Sequence, residues 1–332
     1  MCSLRKGISA SYRSIKVLAG WQYRKSHVIN GSSGAGTGYQ VKITVHYGSG
    51  VDSASDVYLN SHCRTDFGDV RWAQGSALLS YWMVSLAAGD NAVFYVNVLG
   101  DLGQNQTVSI YYGNSNVVTT SSITATMIDS NDFESDAVGS VPASWTEDYP
   151  SLFNIRVKNT SWYIESGSQG ASVNAVGGGG GFLVHRPLTT INVDNTRAID
   201  FWLKTSANAS SHQIHIQDSG NDKFIMNTSY SPLQFQYHNG SAWTAIQNIS
   251  INTWYHIVIY NISFSNRTFC LDVNDVNQVL NGTLYAAATQ LNRFAFRSAG
   301  TGQPEYAFDD FLVRKRIPIE PTNGAWGTEQ RY

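Results

Sequence analysis

The stretch YQVKITVHYG, residues 39 to 48, alternates Val41, Ile43 and Val45 with Lys42, Thr44 and His46. Successive side chains of an extended chain leave opposite faces, so a period of two buries one face only as a strand. NAVFYVNVLG (91–100) and TVSIYYGNS (107–115) repeat the pattern and close on Gly or Asn. After a polar seam, TATMIDSNDFES, comes a second series: SWYIES, AIDFWLKTS, HQIHIQD, KFIMNTS, PLQFQYHN, TWYHIVIYNISF, RTFCLDVND, RFAFRS and YAFDDFLVRK. Helical periodicity is nearly absent. The spacing predicts an all-β chain of two antiparallel β-sandwich (jelly-roll) domains in tandem. The expected division is an N-terminal segment (1–20), a first domain (21–127), a second domain (128–316) and a C-terminal tail (317–332).

Charged residues are 14% of the chain and the net charge is −2, which gives no field for nucleic acid or anionic lipid. Cys2, Cys63 and Cys270 are an odd number with no CxxC spacing, so neither a disulfide framework nor a zinc site is expected. Sequons occur at Asn30, Asn105, Asn159, Asn208, Asn227, Asn239, Asn248, Asn261, Asn266 and Asn281. About five would arise by chance from this many Asn, Ser and Thr, so the excess points outside the cell. The eight from Asn159 onward are the expected glycosylation sites. The first 21 residues hold no apolar run of signal-peptide length, and no later run is long enough to span a membrane. Either the true start is missing, or the protein leaves the cell as part of a particle such as a virion.

NSHCRTDFGDVRW, residues 60 to 72, concentrates a thiol, two arginines and two aspartates. An extended chain would set Cys63, Thr65 and Phe67 on one face, with Gly68 breaking into a turn at positive φ. Asp66 and Asp69 would then pair with Arg64 and Arg71 in a structural network or ligate calcium. Reactivity of Cys63 would need a lowered thiol pKa and a base, and adjacent His62 would point the other way.

YQVKITVHYG, DVYLNSHCRTDFGDVRW and SIYYGN together resemble the family called domain of unknown function 2341, found in archaeal and bacterial surface proteins, over about residues 21 to 118. NDFESDAVGSVPASW and the closing YAFDDFLVRK resemble a concanavalin A-like (laminin-G-like) jelly roll over roughly 130 to 316. The first resemblance implies architecture and habitat without an activity. The second implies that the terminal strands meet and bring Asp132, Glu134, Asp309 and Asp310 together as ligands of a structural Ca²⁺. The alternative is an Asp310 that caps a turn, with the others exposed.

Three strands carry a polar stripe. Gln213, His215 and Gln217 share one face against Ile214 and Ile216, while Gln234, Gln236 and His238 oppose Phe235 and Tyr237. Arg293 and Arg297 flank Ala295 likewise. As neighbours these strands would offer amides, imidazoles and guanidinium groups to sugar hydroxyls, with Tyr230 or Trp243 to stack on a pyranose; the alternative is a plain solvated face. Trp202 and Trp254 sit in apolar strands and are expected in the core.

Enzyme readings fail on motifs. There is no E-x-D-x-x-E carboxylate set, no HExxH and no G-x-S-x-G, and GGGGGF (177–182) lacks the Lys of a phosphate loop. The expected function is therefore a non-catalytic extracellular surface or virion protein that binds a glycan or surface protein. Alternatives are a self-assembling structural subunit of a filament, coat or capsid, and an accessory module of a polysaccharide-degrading enzyme.

Overall fold

In the computed structural model, Val41, Ile43 and Val45 of strand Tyr39–His46 are buried while Lys42 is exposed, as the alternation requires. The structure describes residues 18–175, 180–181, 183–192, 196–206, 212–298 (without the Tyr230 side chain) and 305–332. Cys2, the sequon at Asn208 and most of the glycine run lie outside them.

Four sheets make two sandwiches. In the first, Thr322–Trp326, Tyr23–Asn30, Gln106–Tyr112, Arg71–Gln74 and Ala77–Leu79 run in that order, with Gln330–Arg331 also on Tyr23–Asn30. The facing sheet is Asp56–Tyr58, Tyr39–His46, Asn91–Val98 and Tyr81–Ala87. Trp72, Phe67, Phe94 and Tyr112 lie in the core between them. All pairings here are antiparallel except Asp56–Tyr58 on Tyr39–His46. The segment expected as a tail, 317–332, is instead the edge of this first sandwich. Its apolar and polar groups both find partners there, because Trp326 stacks on buried His27 at 3.8 Å and Asn323 Oδ1 meets His27 Nε2 at 2.8 Å.

The second sandwich opens at Asp129–Asn131, close to the expected seam, and that strand pairs antiparallel with Tyr306–Lys315. Its eight-stranded sheet contains Arg197–Thr205, Tyr306–Lys315 and Tyr255–Ser263. The seven-stranded sheet runs Thr146–Glu147, Leu183–Ile191, Leu291–Arg297, Gln213–Asp218, Asn221–Tyr230, Leu233–His238 and Trp243–Asn248. A separate core of Phe201, Phe224, Phe235, Phe294 and Phe308 lies between the two sheets. Among the described residues no helix is long and apolar enough to cross a membrane.

A small third cluster, Trp82, Ile123, Met127 and Leu312, joins the sandwiches. Gln40 reinforces it by donating to Thr126 O beside the cluster and accepting from the Lys315 N–H across the seam. Trp202 and Trp254 are half-buried and outside both cores, contrary to expectation. Trp202 alternates with core residues Phe201 and Leu203 and so faces outward, stacked on His256 at 4.9 Å. Trp254 lies against the Lys204 ammonium, 4.4 Å from its ring centroid.

Candidate functional site

The polar stripe expected from sequence lies on the outer face of the seven-stranded sheet. Ile214, Ile216, Phe235, Tyr237, Phe294 and Phe296 turn into the core, so the residues between them point away. Register places the stripe in rows. Arg297 pairs with Gln213, Gln213 with Asn227 and Asn227 with Gln236. A second row runs His185, Ala295, His215 and Ile225. His238 pairs with Trp243 at the margin, their rings 5.0 Å apart, and Gln234 pairs with Asn248.

Asp222, which follows a turn, organises the middle of this face. Its Oδ1 accepts from Gln217 Nε2 at 2.7 Å and lies 2.8 Å from His215 Nδ1, and Oδ2 is 3.9 Å from Arg297. His215 Nε2 meets Gln213 Oε1 at 3.0 Å. Burial pulls the Asp222 pKa upward, but hydrogen bonds from His215 and Gln217 outweigh it and hold the carboxyl below its usual value. Sequence reasoning missed Asp222 because a bulge between Ile216 and Gln217 shifts its register. It also missed Asn227, read there only as a sequon, and His185, which lies 3.3 Å from Asp148. Asn227 Oδ1, Gln217 Oε1 and Arg293 Nε are buried on this face and have no hydrogen-bond partner in the protein. A glycan on Asn227 would cover the same face, so Asn227 serves one role or the other. Of the other expected glycosylation sites, Asn159, Asn248, Asn266 and Asn281 are exposed, and Asn239 and Asn261 are half-buried.

The four carboxylates expected to share a cation reach one corner, since the first and last strands of the second sandwich pair. Asp309 accepts from the Glu165 and Ser166 N–H groups, and Asp310 from Ser166 Oγ at 2.8 Å. Glu134 Oε1 takes the Ser168 and Gln169 N–H groups. Burial, with each other's charge or that of Glu165 nearby, pushes the pKa values of Asp309 and Asp310 well up. Asp132 is raised by burial as well. Among the described residues no three His, Cys, Asp or Glu already form a metal-binding group.

The Cys63–Trp72 motif is a turn network. Arg64 grips Asp66 through Nε and Nη2 at 2.8 and 2.7 Å and holds its pKa at about 2. Asp69 accepts from the N–H groups of Arg64, Gly113 and Asn114. Arg71 pairs with no aspartate and donates to Gly68 O, Val70 O and Val118 O instead. The positive φ falls on Phe67 (52°) rather than on Gly68, because the Phe67 ring is drawn into the core. Burial, then Asp69, pushes the Cys63 thiol up to about 12, the opposite of a nucleophile. Cys63 and Cys270 are buried free thiols.

Residues 66–148 match the family described as Domain of unknown function (DUF2341). The match starts inside the turn network and runs past the seam, whereas the sequence resemblance had been placed over about 21 to 118. No curated protein matches the chain. Similar solved structures include a sialidase, 13% identical with a TM-score of 0.43, covering 66% of this chain and 20% of that one. The catalytic domain of a glycoside hydrolase family 131 protein from Coprinopsis cinerea is 12% identical with a TM-score of 0.41, covering 58% and 96%. Cellulose induced protein, Cip1, is 13% identical with a TM-score of 0.41, covering 58% and 99%. The chain thus spans about one fifth of the sialidase's length. These are likenesses of β-sandwich fold.

Proposed function

We propose that the chain is a non-catalytic recognition protein of an extracellular surface or virion, and that the outer face of the seven-stranded sheet is a shallow glycan-binding surface. The observation that carries this reading is the row of accessible side chains Arg297, Gln213, Asn227 and Gln236 on adjacent strands of that face. A sugar hydroxyl both donates and accepts, so one saccharide pairs with amides and a guanidinium N–H together. Strands about 4.8 Å apart set Arg297, Gln213, Asn227 and Gln236 abreast, a ladder matched to a row of hydroxyls. Trp243, 37% exposed beside His238, supplies an aromatic margin. Contact of this kind is weak at one site, ~10⁻³ to 10⁻⁵ M, and gains strength from repeated copies.

A glycan array of multivalent, unglycosylated protein tests it. A specific signal is expected that falls about tenfold or more in Gln236→Ala and Asn227→Ala, with melting unchanged. A silent array, or a signal indifferent to both substitutions, overturns the reading.

The same reading assigns a structural Ca²⁺ to Asp132, Glu134, Asp309 and Asp310, whose oxygen-only donors suit a hard cation. The ion would neutralise buried neighbouring carboxylates and fix the 165–169 loop to the terminal strands. Millimolar CaCl₂ is expected to raise the melting temperature over EGTA by about 5–10 °C, the equivalent of roughly 2.7 kcal/mol at a hundredfold excess over Kd. Asp310→Asn should abolish that response. An unchanged melt removes the calcium assignment and leaves the glycan face standing.

A further inference from the structure

Between the sandwiches lies a cavity of about 360 Å³, within the size range of small-ligand sites. Strand Tyr39–His46 brings Lys42 to it and Asn91–Val98 brings Tyr95; from the second sandwich come Glu165, Trp202, His256 and Asp275. A neighbouring cavity of about 390 Å³ shares Lys42, Tyr95, His256 and Asp275, so the two form one groove along the seam. Its floor is closed by the joining cluster, where Trp82 and Leu312 are buried.

We infer that this groove is a second binding site, for a neutral saccharide of one or two pyranose units. Trp202 stacks on His256 on one side and lines the cavity with the rest of its surface, which offers a flat apolar wall to the C–H face of a sugar ring. Tyr95, itself stacked on Trp82, also lines it. The Lys42 ammonium and the Glu165 carboxylate make no hydrogen bond to the protein among the described residues. Both line the same cavity as Asp275. One ammonium and three carboxylates around an aromatic wall suit hydroxyls. Glu165, Asp275 and Asp310 beside one lysine give an anionic sugar no advantage. The groove uses no residue of the outer sheet face, so it stands independently of that surface, and it shares Asp310 with the calcium corner.

Titration calorimetry of the whole chain with methyl hexosides, their disaccharides and free amino acids tests this. At least one saccharide is expected to saturate at one site per chain, with intrinsic Trp fluorescence following the same isotherm. Lys42→Met, at an exposed position, and Glu165→Gln should each weaken binding about tenfold, while Gln236→Ala leaves it within twofold. The inference is overturned by no saccharide binding, by binding that follows Gln236→Ala rather than Glu165→Gln, or by amino acids binding where saccharides do not.

Discussion

Truncation after Arg316 is expected to unfold the first sandwich and to leave the second one folded. The removed segment supplies two strands that pair with Tyr23–Asn30, and with them the cover of one sheet edge. Its loss strips Trp326 from His27 and Asn323 from the His27 ring, leaving a fully buried imidazole without its partner. Glu329 goes too, and it accepts from the Tyr112 hydroxyl and lies 3.1 Å from His62. Each orphaned buried polar group costs about 1–3 kcal/mol, and deleting a packed Trp side chain adds about 2 kcal/mol or more. A marginal domain of ordinary stability, about 5–15 kcal/mol, does not absorb the sum. Urea unfolding followed by Trp fluorescence should change from a transition at full amplitude to one carried by the second core alone. Trp326→Ala is the milder version, expected to lower the midpoint while keeping the fold. A truncated chain with native unfolding of both cores would show that the returning strands are ornament rather than structure.

Sequence made the strands legible wherever one face is apolar. Tyr39–His46 and Leu233–His238 bury the residues that alternation selects, and the Gln/His stripe lies on one face as read. Register was legible only as far as the period of two holds. The bulge between Ile216 and Gln217 carried Asp222 into the centre of the site, and nothing in SGND announces a bulge. Long-range closure was illegible for a different reason. TNGAW at 322–326 is too short and polar to read as a strand, and it becomes one because an unpaired edge of Tyr23–Asn30 awaits it. Trp202 looked like core because both its neighbours are core, and only the docking of the first sandwich gives an outward Trp something to face.

Acidification below about pH 4 should weaken the second sandwich through one histidine. His212 is fully buried, its ring edge-on to Phe153 at 4.7 Å and to Tyr306 at 5.5 Å, and burial lowers its pKa from 6.5 to about 3. Between those values the unfolded chain holds a proton that the folded chain refuses. Stability from this group is therefore complete above pH 6.5 and is lost as pH falls toward 3, by up to about 5 kcal/mol at roughly 1.4 kcal/mol per unit. The buried carboxyls Asp132, Glu165, Asp309 and Asp310 act with the opposite sign. Their raised pKa values mean the folded state keeps protons that the unfolded state releases, so in EGTA their stabilising contribution is present in acid and lost as pH rises through the folded values. Between about pH 4 and 6.5 the two carboxyls of Asp309 and Asp310 outweigh the one imidazole, so the metal-free chain gains stability on acidification down to about pH 4, below which the unfolded carboxyls hold protons too and the histidine slope remains. His212→Phe keeps an apolar ring in the same pocket and removes that slope, so below about pH 4 its melting temperature should fall less steeply than that of the natural chain. A substituted protein that turns down at the same pH and with the same steepness would place the acid sensitivity in some other group.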